Sequence, residues 1–342
     1  MLFNVDSDDG TEICGWIAPL GADAPPPRLV VIIPGRAEIE IDATPRPDAG
    51  DAARIYDFAL DASVLPDIES APELSIFAAR ERLLIYRRFQ IARDLQRKLV
   101  LLDNSVMPQR NILSTIERHF SLSYFAAEQY PPQTIDAIVA NTLNKSVVIA
   151  GRVSYPHHAA QLEKGGYLRV AILRAPLEEL AERLLFLNIL SRSKASHLAS
   201  VFATDVEPLV DFAKDLAFDD PRALLSAFRA ISDEQRQALI SPMVRMLGCE
   251  SGEIPQRRHV TSALDNLSTM DVVGLRENYR VFRALLSHTL GANILGAEEP
   301  QAFPSVKPLA AALSRIGIVT DMLRHDLTLY DLAQSALTEG ES

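Results

Sequence analysis

Lys98-Leu99-Val100-Leu101-Leu102 is an apolar run opened by one lysine. A strand solvated on one face alternates in polarity; an unbroken run belongs to a strand covered on both faces, as in a parallel sheet. Ser146-Val147-Val148-Ile149-Ala150-Gly151 and Tyr167-Leu168-Arg169-Val170-Ala171-Ile172-Leu173 repeat the pattern. Helical spacing separates them: one helix through Ile112–Phe120, and another from Pro176 to about Ser191. Strands alternating with helices predict an α/β domain with a parallel sheet. Residues 194–248 and 276–292 carry apolar residues three and four apart, which predicts a helical C-terminal portion.

Residues 1–88 read differently. Glu12–Ile17, Arg28–Ile33, Ala37–Asp42, Ile55–Leu60, Leu74–Ala78 and Arg82–Tyr86 are short strand-like runs, and Pro25-Pro26-Pro27 and Pro45-Arg46-Pro47-Asp48 supply loops. That spacing predicts a small β-sandwich over 1–88, ahead of the α/β domain over 98–337. The segment resembles the "G-x-I-x-GW … R-x-D … F" modules found ahead of bacterial glycan-modifying domains. Trp16 and Phe58 are then either a platform for a sugar face or core residues, and the burial of large aromatics favours the core. Arg80, Arg82, Arg87, Arg88, Arg93, Arg97 and Lys98 gather near the junction. They form either a groove for an acidic polysaccharide or an ordinary solvated surface.

The formal charge is −11, which together with the lack of Lys/Arg blocks argues against a nucleic-acid partner. Cys14 and Cys249 are the only cysteines, too few for a disulfide framework or a thiolate zinc site, and no metal is expected. The N-terminus shows neither a basic n-region nor an apolar h-region. No apolar run reaches the roughly 20 residues of a membrane span. A cytoplasmic protein is the expectation. A homo-oligomer built through the β-module and helices is one option. The tail Thr338–Ser342 is the one disordered candidate.

Three C-terminal segments carry a family resemblance. Met243-Val244-Arg245-Met246-Leu247-Gly248 is followed by Asn266-Leu267-Ser268-Thr269-Met270-Asp271-Val272-Val273-Gly274-Leu275-Arg276-Glu277, and Asp326-Leu327-Thr328-Leu329-Tyr330-Asp331-Leu332-Ala333 comes near the end. This order resembles the carbohydrate sulfotransferases of heparan and bacterial polysaccharide type. There a helix ends in R-x-L-G, an "NL…F-VGL-TE" strand follows, and a "D-x-x-LY-x-x-A" helix closes the fold. The resemblance implies a sulfotransferase-like, P-loop-derived sheet over about 98–337. Many animal relatives are Golgi-anchored; the lack of an anchor here fits a bacterial intracellular protein. Gly274 then allows a tight backbone passage, Leu329, Tyr330 and Ala333 pack the last helix, and Glu277 is expected to pair with an arginine such as Arg245.

The same resemblance implies three sites for sulfuryl transfer from 3'-phosphoadenylyl sulfate (PAPS), and this sequence departs from each. The phosphate loop, "PKTGGTS" in the family, reads Asn104-Ser105-Val106-Met107-Pro108-Gln109-Arg110-Asn111, with no Gly or Lys. Arg110 is left to meet an anion, and Asn111 to meet one or to cap the helix. The "GHVSY" segment reads Gly151-Arg152-Val153-Ser154-Tyr155, so Arg152 replaces the catalytic His. A guanidinium accepts no proton, though it binds sulfate or carboxylate. His157 and His158 are the replacement bases to consider, and Tyr155 a substrate contact. The 3'-phosphate anchor "RDP-x-x-R-x-x-S" keeps Arg174 and Pro176 but has Ala175, Glu179 and Glu182 at the other places. Carboxylates repel a phosphate, and they also suit a helix N-terminus without any ligand.

The expectation is therefore a catalytically degenerate sulfotransferase-like protein of a bacterial glycan pathway. It would bind an oligosaccharide or a partner enzyme through Arg110, Arg152 and Arg174. The alternatives are an active PAPS-dependent transferase using His157 or His158, and a structural assembly protein.

Overall fold

The computed structural model describes residues 1–21, 24–47, 54–88, 95–192 and 206–339. The N-terminal part is two four-stranded antiparallel sheets. Strands β1 (Leu2–Asp8), β2 (Ile13–Ala18), β3 (Arg28–Ile32), β4 (Ile39–Asp42), β5 (Thr44–Pro45), β6 (Tyr56–Leu60), β7 (Leu74–Ala78) and β8 (Leu83–Arg88) pair in the orders β1-β2-β6-β5 and β4-β3-β7-β8. Period-two patterning puts Phe3, Val5, Ile13, Ile17, Leu29, Val31, Leu74 and Ile76 into one core. Strand β1 is absent from the sequence reading, although Leu2–Val5 alternates.

The aromatic platform does not form. Gly15 stands opposite Phe58 and Trp16 opposite Asp57, so successive side chains put Phe58 inward and Trp16 on the other face. A Cβ on Gly15 would lie 2.6 Å from Phe58 Cζ; the glycine makes room for that ring. Three residues of the basic cluster are committed to partners, while Arg80, Arg82 and Arg97 are exposed. Arg88 holds Asp8 at 2.5 Å, Arg87 Nε donates to Ser75 Oγ, and Lys98 Nζ donates to the Asn141 carbonyl. Arg93 lies outside the described residues.

The second part is a five-stranded parallel sheet. Strands β9 (Lys98–Asp103), β10 (Leu122–Phe125), β11 (Val147–Gly151), β12 (Tyr167–Leu173) and β13 (Val272–Leu275) run in the order β10-β11-β9-β12-β13. β9 is central, and its residues Leu99–Leu102 are all buried, which is why that run lacks alternation. The short strand β10 was not legible in the sequence. The expected strand from Asn266 begins later: Asn266 and Leu267 finish a helix, and the Asn266 side chain donates to the Leu247 carbonyl at 2.7 Å.

Helices α1 (Arg110–Glu117), α2 (Pro132–Ala140), α3 (Tyr155–Lys164) and α4 (Pro176–Arg192) follow β9 to β12 in turn. Then come α5 (Glu207–Lys214), α6 (Pro221–Arg229), α7 (Asp233–Leu239), α8 (Pro242–Gly248) and α9 (Arg257–Ser268). After β13 follow α10 (Tyr279–Leu290), α11 (Val306–Leu313) and α12 (Gly317–Glu339). Within the expected helical stretch 194–248, residues 194–205 lie outside the described set. Of the expected disordered tail, Thr338 and Glu339 end α12 and residues 340–342 lie outside. Among the described residues no helix is long and apolar enough to cross a membrane.

The two parts share a core. The sandwich residues join Val100, Leu102, Tyr124, Ile135, Ile149 and Tyr155 in one cluster. Buried polar contacts fix the junction: the Met1 ammonium donates to Thr134 Oγ1 at 3.1 Å, Thr134 donates back to the Met1 carbonyl at 2.8 Å, and Tyr124 donates to the Leu84 carbonyl at 2.8 Å.

Gly274 sets how closely α10 approaches β13, because a Cβ there would sit 2.7 Å from Phe282 Cβ. Gly274→Ala is expected to destabilise by about 1–3 kcal/mol through forced repacking, measured by urea unfolding. An unchanged midpoint would mean the helix can back away freely.

Candidate functional site

In an open parallel sheet ligands gather at the carboxyl ends of the strands, beside the loops that follow them. Here the strand ends and loops bring together Asp103 at the end of β9, Asn104 and Ser105 after it, Arg152 after β11, Arg174 after β12 and Arg276 after β13.

The loop after β9 is held by its own polar groups. Asp103 Oδ1 accepts the Ser105 N–H at 2.9 Å, Arg152 donates to the Ser105 carbonyl at 3.2 Å, and Arg276 donates to Ser105 Oγ at 2.7 Å. Asn111 does not cap α1: Gln109 holds that position, and its side chain clasps the Gln301 backbone at 3.1 and 2.6 Å. Asn111 lies in the first helical turn, with Oδ1 buried and unpartnered among the described residues. Arg110 is exposed.

Arg152 is buried against Glu128. Its guanidinium lies 3.2 Å from Oε1, and its backbone N–H donates to Oε2 at 2.9 Å. The approach depends on Gly151, at φ +139°, where a Cβ would come 2.7 Å from the Ala127 nitrogen. Tyr155 is also buried, its hydroxyl 3.4 Å from Thr269 Oγ1. His157 and His158, in the first turn of α3, face α2. His158 Nδ1 is 2.9 Å from Asp136 Oδ1, and His157 Nε2 is 3.8 Å from Oδ2.

The decisive group surrounds Arg174. Its guanidinium pairs with Glu182 and lies 3.8 Å from Glu179. Arg183 holds Glu179 at 2.9 Å, and Arg276 approaches Glu182 at 3.4 Å. The result is an alternating row: Arg183, Glu179, Arg174, Glu182, Arg276. Every side chain in it is at least nine-tenths buried. Positions 179, 182 and 183 share one face of α4, since helical neighbours are three and four apart. Burial pushes the Glu179 carboxyl up against the pull of Arg183 and Arg174. Burial works to lower Arg174, but Glu179 and Glu182 outweigh it and hold it above its ordinary value.

Little space remains beside the row. Asp103, Asn104, Arg174, Glu179, Arg183 and Asp326 border an enclosed void of about 10 Å³, the size of one water. Asn104 and Glu179 lie in that wall, and Asn104 Oδ1 and Glu179 Oε2 are buried without a hydrogen-bond partner among the described residues, Oε2 being left with the 3.8 Å ion pair to Arg174. No phosphate fits there. Asp326 accepts the Met243 and Val244 N–H groups at 3.0 and 2.7 Å, and burial pushes its carboxyl up to about 7.

Outside the row lies an open basin of about 600 Å³. Arg174, Arg276 and Tyr279 line it, with Arg280 and Lys307 alongside Glu178 and Glu299. Glu277 borders it too, and its partners differ from the expected Arg245. Oε1 accepts the Ala175 N–H at 2.9 Å and Oε2 the Tyr330 hydroxyl at 2.8 Å, while Arg245 donates to the Gln237 and Ile240 carbonyls.

Sequence reasoning missed Glu128, Arg183, Arg276 and Asp326 as parts of this edge. The Glu179/Arg183 spacing of four was a legible signal; the other partners come from distant segments. Comparison with protein-family models and with curated proteins gives no match for this chain. The chemistry of the edge rests on its own groups.

Two outcomes follow from the buried charges. Glu182→Ala leaves Arg174 and Arg276 without their shared carboxylate and should cost about 3–5 kcal/mol in urea unfolding; a loss under 1 kcal/mol would mean that water reaches the row. The raised Asp326 carboxyl holds its proton in the folded state, so its stabilising contribution is complete below the ordinary carboxyl range and is lost as pH rises through about 7. His158, lowered by burial, acts in the opposite sense. The comparison of wild type with Asp326→Asn isolates the first: the variant should lose less stability than wild type between pH 6 and 8, and equal slopes would remove the assignment.

Proposed function

We propose that this chain is a sulfotransferase-like protein of a bacterial glycan pathway that does not turn over PAPS and binds an oligosaccharide or a partner enzyme instead. One observation carries the reading. Arg174 stands where the resemblance puts the 3'-phosphate arginine, and its partner Glu182 stands where the resemblance puts the phosphate-binding serine. The carboxylates of α4 thus take the place of the donor's anion. A nucleotide bisphosphate entering there would meet Glu179 and Glu182 in a dry setting, where like charges repel strongly.

The base is missing for a related reason. Arg152 cannot accept a proton from an acceptor hydroxyl, and its guanidinium is occupied by Glu128. His157 and His158 are turned to Asp136 on α2. What remains open is the basin beyond the row, with room for one or two sugar rings; Lys307 lines it, and so does Arg280, whose guanidinium is shared with Glu299 at 2.8 Å and would exchange that partner for an acidic sugar.

Adenosine 3',5'-bisphosphate tests the first half. A ligand at a hundred times its dissociation constant stabilises by about 2.7 kcal/mol. Millimolar nucleotide should leave the melting temperature unchanged, and a clear rise would restore a PAPS enzyme. The second half predicts that acidic oligosaccharides bind wild type and lose at least tenfold in affinity for the double variant Arg280→Glu, Lys307→Glu. Equal binding would move the ligand elsewhere.

A further inference from the structure

A second cluster of chemistry-bearing side chains lies between α2 and α3. Asp136 is in the middle of α2, and His157 and His158 are in the first turn of α3. One ligand atom from each lies within 4.8 Å of the others. We propose that Asp136, His157 and His158 form a binding site for a late first-row divalent ion, Zn²⁺ foremost, which fastens α2 to α3.

The geometry supports an ion shared by all three. Two bonds of about 2.0–2.1 Å at a tetrahedral angle put their donor atoms about 3.3 Å apart. The Asp136 Oδ1 to His158 Nδ1 separation is 2.9 Å, and the Oδ2 to His157 Nε2 separation is 3.8 Å. These separations, one to each carboxylate oxygen, bracket the required edge, and the three ligand atoms lie within 4.8 Å of one another. The two rings meet edge to face with centroids 4.6 Å apart, both directed at the one carboxylate.

The donor set selects the metal. Two imidazoles and one carboxylate suit Zn²⁺ and its late first-row neighbours, whereas Ca²⁺ and Mg²⁺ prefer oxygen throughout. Three protein ligands leave a fourth position for water. The exposure fits that arrangement: His158 is buried to 3%, while Asp136 and His157 retain 30% and 38% and face solvent. The electrostatics also suit a cation. The charged groups that act on His158 besides His157 are Asp136 and Glu250, both acidic. Ligation uses the tautomer with the proton on Nε2, which leaves the Nδ1 lone pair facing the ion.

A comparably compact set, Cys249, Glu253 and His259, lacks these properties. The Gln256 N–H donates to His259 Nδ1 at 3.0 Å, which takes that nitrogen out of ligation and leaves Nε2. The Arg258 guanidinium lies 3.1 Å from that same Nε2 and 3.3 Å from Glu253. Burial also pushes the Cys249 thiol up to about 11. A cation there would compete with a proton and with a guanidinium.

The location suggests what the ion does. α2 carries Thr134, which exchanges hydrogen bonds with Met1 of the first sandwich strand. Fastening α2 to α3 therefore steadies the helix on which the N-terminal sheets rest. This inference does not depend on how the nucleotide question is answered.

The test uses the full chain stripped with a chelator. Adding Zn²⁺ should raise the melting temperature with saturation at one ion per chain, and Co²⁺ should give the visible absorption of a tetrahedral nitrogen–oxygen site. His157→Gln and Asp136→Asn, both at partly exposed positions and so expected to fold, should weaken binding at least tenfold and abolish the Zn²⁺-dependent shift. Cys249→Ser should bind as wild type does. The proposal is overturned if wild type shows neither the shift nor the absorption, if both variants bind like wild type, or if Cys249→Ser is the variant that loses the ion.

Discussion

The carboxyl edge of the parallel sheet is organised by one constraint: a guanidinium taken out of water needs an anion. Arg174 leaves β12 into a space almost closed to water, reaching solvent only where it borders the basin. Glu179 and Glu182, in the first two turns of α4, supply the charge, and Arg183 and Arg276 extend the row to either side. Desolvating such charges costs several kcal/mol per ion, and only close, repeated pairing offsets it. The pairing therefore dictates that α4 packs tightly on the strand ends and that the loops after β9 and β13 turn inward, where Asn104 and Ser105 meet Arg183 and Arg276. Cation sites that might have served a ligand are consumed as scaffold.

The same economy recurs elsewhere in the molecule. Glu128 satisfies Arg152, Asp8 satisfies Arg88 and Tyr86, and Asp326 satisfies the amides that open α8. Each carboxylate sits at a junction between segments far apart in the chain. Polar contacts of this kind fix relative placement more than they add stability, because a displaced partner leaves a buried charge unpaired. In the basin beside Tyr279 the pairing is solvent-exposed instead: Arg280 meets Glu299 at 2.8 Å on the surface, and Lys307 is exposed.

The sequence revealed elements whose pattern is local. The runs Leu99–Leu102, Val147–Ala150 and Val170–Leu173 are uniformly apolar because neighbouring strands and helices cover them, and that signal survives without any tertiary knowledge. β10 escaped because four residues with two hydroxyls, Leu122-Ser123-Tyr124-Phe125, carry too little periodicity. Trp16 and Phe58 were candidates for one surface, but antiparallel register sends adjacent positions to opposite faces, and register is not written in composition. Among the site residues, the acids at 179 and 182 were legible as unsuited to a phosphate. Of their partners, Arg183 was signalled by its spacing of four from Glu179, but Arg276 was not, because it lies nearly a hundred residues downstream and reaches the row only through β13.

That separation bears on how the chain acquires its shape. β12 ends at Leu173 and its neighbour β13 begins at Val272, so a long helical excursion is made before the sheet gains its fifth strand. During synthesis the outer side of β12 has its amides and carbonyls bare until that later stretch has emerged from the ribosome, and unpaired strand edges invite association with other chains. The closing pieces come later still: Glu277 links the Ala175 amide to Tyr330 on the terminal helix. A nascent chain halted before Tyr330 would hold most of its strands but lack the bolt across their end.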